Sequence, residues 1–153
     1  MEEGEFRDTY NKIRELPCPF EKTLLSRQCD CRMAQRFNLA EREGISCTAW
    51  TAQRNCKTLL DLLRQNARFT LGLTSVPGRL PHAKEVKVQT GGLIGVRQVV
   101  HPDQGPSRVE DIHALVTAAR TAFGRLEDLP FHEIVKTIAA YQGRRRSSRR
   151  PKG

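Results

Sequence analysis

Residues 46–72 read SCTAWTAQRNCKTLLDLLRQNARFTLG, and this stretch decides the fold class. Ala52, Cys56, Leu59, Leu60, Leu63, Ala67 and Leu71 recur largely at spacings of three and four, with Gln53, Arg54, Lys57, Asp61, Arg64 and Gln65 between them. A period near 3.6 residues gathers the first set on one face, so the spacing predicts a long amphipathic helix. Ser46 or Thr48 is the expected cap and Gly72 the expected stop.

Upstream, Phe6, Tyr10, Ile13 and Leu16 mark one face of a short helix over 5–16. Pro17 and Pro19 then bracket Cys18 and force an extended link. Phe20 to Ser26 suits a helical turn. Arg32 to Glu43 is rich in helix formers and reads as a further helix stopped by Gly44.

Downstream, Pro77, Gly78 and Pro81 mark a linker. Val86 and Val88 alternate with Lys87 and Gln89, Gly91-Gly92 suits a two-residue turn, and Leu93 to Val100 reads as a returning strand; together they predict a β-hairpin. Ser107-x-x-Glu110 has the form of a capping box for a helix with Val109, Ile112, Val116, Ala119 and Phe123 inward, ended by Gly124. Pro130 fits the first turn of a last helix, with Phe131, Ile134, Ile138 and Tyr141 inward and Gly143 at its end. The expectation is a mainly α, α-rich α+β fold. It comprises a helical cysteine-bearing part (1–72), a β-hairpin with two helices (73–143) and a flexible Arg-rich tail (144–153).

The 153 residues carry 26 Lys+Arg against 17 Asp+Glu, a formal charge of +9. Six of those cations lie in the last ten positions: Arg144, Arg145, Arg146, Arg149, Arg150 and Lys152. Such a run repels itself until an anionic partner neutralises it, which suits docking to an acidic redox-partner protein or to nucleic acid. No apolar run approaches the roughly 18 residues of a membrane span. The acidic opening Met1-Glu2-Glu3-Gly4-Glu5 does not resemble a secretory leader, and the expected location is cytoplasmic.

All five cysteines, Cys18, Cys29, Cys31, Cys47 and Cys56, fall in the first 56 residues. An odd count in a helical context argues against a disulfide framework. Buried plain thiols would explain Cys56, on the apolar stripe, but not Cys29-Asp30-Cys31 in a polar segment. Four thiolates are what a structural zinc ion or a [4Fe–4S] cluster needs, and the spacing lacks the paired knuckles of zinc ribbons. The sequence therefore points to an iron–sulfur centre held by four of the five, with Cys29 and Cys31 its firmest members and zinc the alternative. Arg27, Arg32, Arg36, Arg42 and Arg54 are interspersed among the sulfurs and are expected to tune the centre, and helix N-termini after Cys18, Cys31 and Cys47 are expected to stabilise thiolates.

Other signals are weaker. Gly91-Gly92-Leu93-Ile94-Gly95 lacks the Lys-Ser/Thr ending of a phosphate loop, and no two of His82, His101, His113 and His132 have metal-ligand spacing. No serine or cysteine stands in a hydrolase signature. A helix-turn-helix from the last two helices is opposed by Glu133 on the would-be recognition helix. The resulting expectation is a small iron–sulfur protein of electron transfer or redox sensing rather than an enzyme. The competing readings are a zinc- or cluster-stabilised nucleic-acid-binding protein and a metal-free interaction adaptor.

Overall fold

The computed structural model describes residues 16–72, 80–105 and 107–142. The expected helix over 5–16, except Leu16, and the Arg-rich tail lie outside the described residues. Among the described residues the chain forms five helices and one antiparallel hairpin: α1 (Glu21–Leu25), β1 (Ala34–Leu39), β2 (Arg42–Cys47), α2 (Trp50–Thr70), α3 (His82–Val100), α4 (Ile112–Phe123) and α5 (Phe131–Ala140). Short 3₁₀ turns at Pro102–Gln104 and Leu126–Asp128 flank α4. The expected α-rich fold with one hairpin is what the chain adopts.

The hairpin is not where the sequence placed it. Residues 32–43, read as a helix, supply β1, the two-residue loop and the start of β2, while 86–100, read as a hairpin of two strands, form most of α3. In the hairpin Ala34 pairs with Cys47 and Leu39 with Arg42. The loop residues Ala40 and Glu41 have φ of 50° and 73°, the left-handed pair that matches the twist of adjacent strands. Helix formers at Ala34, Ala40 and Glu41 are overridden because Ile45 is fully buried against the core and Phe37 lies directly over Gly44. Gly44 is thus a strand residue that makes room for a ring, not a helix stop.

α3 is buried on several sides, with Val88, Gln89, Thr90, Gly91, Gly92, Leu93, Gly95 and Val96 all inside. Gly91 and Gly92 make no turn. They let neighbouring helices approach. A Cβ at Gly91 would stand 2.9 Å from the Ile138 Cα, and one at Gly95 would stand 3.0 Å from Ile138's neighbour one turn earlier, Ile134, at its Cγ2. α3 therefore packs backbone-close on α5, and a missing side chain here serves interhelical distance.

α2 matches its predicted span, with Ala52, Cys56, Leu59, Leu60, Leu63 and Ala67 buried. Neither expected cap serves it. Ser46 lies in β2, Ala49 occupies the cap position, and the Thr48 hydroxyl donates to the Met33 carbonyl at 2.9 Å. Nor does the Ser107 capping box form, since α4 begins at Ile112 behind Asp111. Gly124, at φ 85°, ends α4 as expected. Phe131, Ile134 and Ile138 face inward from α5 as expected, and Glu133 is spent on Lys136 and His132 beside it.

A single core joins Phe20, Leu24 and Ile45 with Leu59 and Leu63 of α2, Val88 and Leu93 of α3, Ile112 and Val116 of α4, and Ile134 and Ile138 of α5. A half-buried ion pair borders it. Arg64 of α2 donates to Glu85 of α3 through Nε at 3.2 Å and Nη2 at 2.8 Å, and Gln89 donates to the same carboxylate at 2.8 Å.

Candidate metal centre

Four cysteines from four segments line one small enclosed void: Cys18, Cys31, Cys47 and Cys56. Cys18 is held between its prolines where Pro17 bridges to Ser46, and its N–H donates to the Ile45 carbonyl at 3.2 Å. Cys47 ends β2, and its N–H donates to the Leu16 carbonyl at 2.7 Å. The loop carrying Cys31 is stitched to the start of α4: Asp30 N–H donates to Val109 O at 3.1 Å, and Ile112 N–H donates to Asp30 O at 2.9 Å. Arg32 adds a backbone bond and an ion pair to Asp111. Cys56 projects from the second turn of α2, on the helix's buried stripe.

The rest of the lining is mostly apolar, including Phe20, Met33, Ala52 and Ile112, with His113 and Gln53 also present and no carboxylate. The void is small, with room for about one water molecule.

Burial pushes the Cys18 thiol up to about 12, against an opposing hydrogen bond from the Phe20 N–H and with further upward pressure from Cys31 and Cys47. Cys31 is raised by burial, against N–H donors at Met33 and His113. Cys56 is raised by burial and then by Cys18, Cys31 and Cys47. Cys56 thus senses the charge of the other three, Cys18 that of Cys31 and Cys47, and Cys31 that of Cys47. Four bare thiolates in this pocket would repel one another in a medium that solvates none of them, so ionisation there requires a cation. The donors at Cys18 and Cys31 are backbone amides aimed at sulfur, an arrangement that favours a thiolate once metal charge is present.

Cys29 is not part of this group. It is buried elsewhere, accepts a hydrogen bond from the Thr23 hydroxyl at 3.3 Å, and burial pushes it up to about 11. Thr23 in turn meets the Thr90 hydroxyl at 2.7 Å. The residue expected to be among the firmest members is therefore the one set aside, because a polar niche on α1 and α3 takes up its sulfur. Cys56, which the amphipathic pattern equally explains as a plain core thiol, faces the void.

The supporting cast also differs from expectation. Arg27 and Arg36 pair with Glu43, Arg32 with Asp111, and Arg54 lies over the Trp50 ring at 4.7 Å. None of these four is among the groups that shift Cys18, Cys31 or Cys56. The segment after Cys31 enters a strand, so no helix starts there. The helix N-terminus at Cys31 is instead that of α4, through His113 N–H, and Asp111 ahead of an apolar run was the sequence signal for that start. Arg144, Arg145, Arg146, Arg149 and Arg150 lie outside the described residues.

Among the described residues, no three His, Cys, Asp or Glu side chains are gathered closely enough to hold a single metal ion, and no helix is long and apolar enough to cross a membrane. No family model matches the chain, and neither the curated proteins nor the solved structures provide a match.

Proposed function

We propose that the protein carries a [4Fe–4S] cluster on Cys18, Cys31, Cys47 and Cys56 and works in electron transfer or redox sensing rather than substrate turnover. The observation that supports this reading is the convergence of four thiols, from segments far apart in sequence, on one enclosed apolar pocket without a carboxylate. Thiolate-only donor sets in apolar, amide-rich surroundings suit iron–sulfur clusters, whose potentials respond to hydrogen bonds at sulfur and to solvent exclusion. Bound there, the cluster would supply one-electron chemistry. The chain's own part is to hold four sulfurs, keep water out, and aim the Phe20, Met33 and His113 amides at Cys18 and Cys31.

Zinc is the weaker occupant. A tetrahedral zinc with bonds of about 2.3 Å needs its four sulfurs about 3.8 Å apart, and no such tight group occurs among the described residues. A cubane spreads its ligands over four metal corners and uses a wider ring of sulfurs, so in this reading the four cysteine segments move apart on loading, because the void as it stands has room for about one water molecule. In this reading the Arg-rich tail docks an acidic redox partner, with attraction that falls steeply as salt rises.

Anaerobic purification followed by iron and sulfide analysis tests the proposal. The expected result is brown protein with about four of each per chain, bleached by dithionite. Colourless protein carrying one zinc, or no metal after reconstitution with iron and sulfide, overturns it.

A further inference from the structure

Cys18 lines two spaces. One is the sulfur pocket; the other is an open cleft of about 500 Å³ on the far side of the Pro17–Pro19 loop. Its walls carry Lys22, Arg64 and His82 alongside Glu21, Glu85 and Gln89. By formal charge the cleft is balanced. By hydrogen-bonding capacity it is not.

The acceptors are committed. Both oxygens of Glu85 accept from Arg64, and one also accepts from Gln89. The Gln89 carbonyl accepts from the Thr23 N–H at 3.1 Å, and a Glu21 oxygen accepts from the Ile45 N–H at 2.8 Å. The donors are not exhausted. The Lys22 amine has three N–H groups and gives one to His82 Nδ1 at 3.1 Å. Because His82 Nδ1 accepts, the neutral ring carries its proton on Nε2, as a second donor. Arg64 keeps guanidinium protons beyond those given to Glu85, with Asp61 only at 3.7 Å. A site with spent acceptors and spare charged donors complements an anion with several oxygens, and its volume falls in the range of small-molecule sites, about 300–1,000 Å³.

We propose that this cleft binds a small polyoxygen anion, a carboxylate or a phosphate, held by Lys22, His82 and Arg64 against the outer side of the Cys18 loop. The inference goes beyond the redox reading and stands whether or not the sulfur pocket holds iron.

The test is a titration of the full chain, reduced and at constant ionic strength, with citrate and with pyrophosphate, followed by amide NMR shifts. Saturable shifts centred on Lys22, His82 and Gln89 are expected with at least one probe. Citrate alone assigns a carboxylate; pyrophosphate alone assigns a phosphate. Lys22→Gln is expected to weaken binding about tenfold or more, Lys22→Arg to retain it, and Arg125→Gln, whose side chain pairs with Asp128 and lines no part of the cleft, to leave it unchanged. Unsaturable drift with both probes, or equal weakening by Lys22→Gln and Arg125→Gln, overturns the proposal. Because metal content is read separately, failure here is distinguishable from failure of the cluster.

Discussion

Raising the pH from 8 to 10 should destabilise the metal-free protein through its thiols, and the size of the loss follows from their burial. Cys18 and Cys29 are pushed up to about 12 and about 11 from an ordinary value of 9.0. A group whose folded pKa lies above its unfolded one gives stability that is complete below the unfolded value and is lost as pH climbs toward the folded value. Across pH 8–10 the unfolded thiols ionise while the folded ones stay protonated. Each therefore withdraws about 1.3 kcal/mol, or about 2.6 kcal/mol for the two. Cys31 and Cys56 are raised as well and act in the same direction. Urea unfolding of metal-free protein at both pH values measures the sum. Because lysines also titrate near pH 10, the decisive quantity is the difference between wild type and Cys29→Ser: the variant's pH-dependent loss should be smaller by about 1.3 kcal/mol. In iron-loaded protein the ligating thiols are already deprotonated, so their share should vanish and the Cys29 share remain. Equal losses in wild type and Cys29→Ser would refute the reasoning from burial. A loaded protein as pH-sensitive as the metal-free one would refute the assignment of the other thiols to metal.

Serine at Cys18, Cys31, Cys47 or Cys56 should each sharply lower iron retained after reconstitution, whereas Cys29→Ser should keep the wild-type iron and sulfide content, as read by colorimetric analysis. Gly91→Ala should destabilise by about 1–3 kcal/mol in chemical denaturation despite alanine's better helix propensity, because its Cβ meets the α5 backbone at Ile138. Arg64→Ala leaves the Glu85 carboxylate with Gln89 as its side-chain donor and should cost about 1–3 kcal/mol, while the double change Arg64→Met with Glu85→Met should recover part of that loss, both by urea melts.

α2 could be read directly because propensity, period and burial all agree along it: the stripe from Ala52 to Ala67 is the face that packs. α4 and α5 were legible for the same reason. α3 was not, since a helix buried on several sides loses its polar face, and the Val86-Lys87-Val88-Gln89 alternation ahead of a Gly pair then mimics a hairpin. The true hairpin was hidden in helix-forming residues, and its stability comes from contacts such as Ile45 in the core, which no local pattern displays. In the candidate centre, the concentration of thiols was visible, but the choice among them was not. Cys29 is held away from the void by Thr23, which meets Thr90 across α1 and α3, and Cys18 is brought to it by its hydrogen bond to Ile45; both are contacts between residues distant in sequence.

The hairpin register ties remote residues to the sulfur pocket. Cys47 stands opposite Ala34 only while Ala40 and Glu41 hold their left-handed turn, six residue pairs and about 20 Å of strand away. A slip of one position at that solvent-facing tip would turn the Cys47 side chain to the opposite face of the ribbon. Two exposed residues at the far end of the ribbon thus act as a distant alignment pin for the pocket, and a slip at the tip would carry Cys47 away from the void together with Ile45, two residues before it on the same face, away from the core.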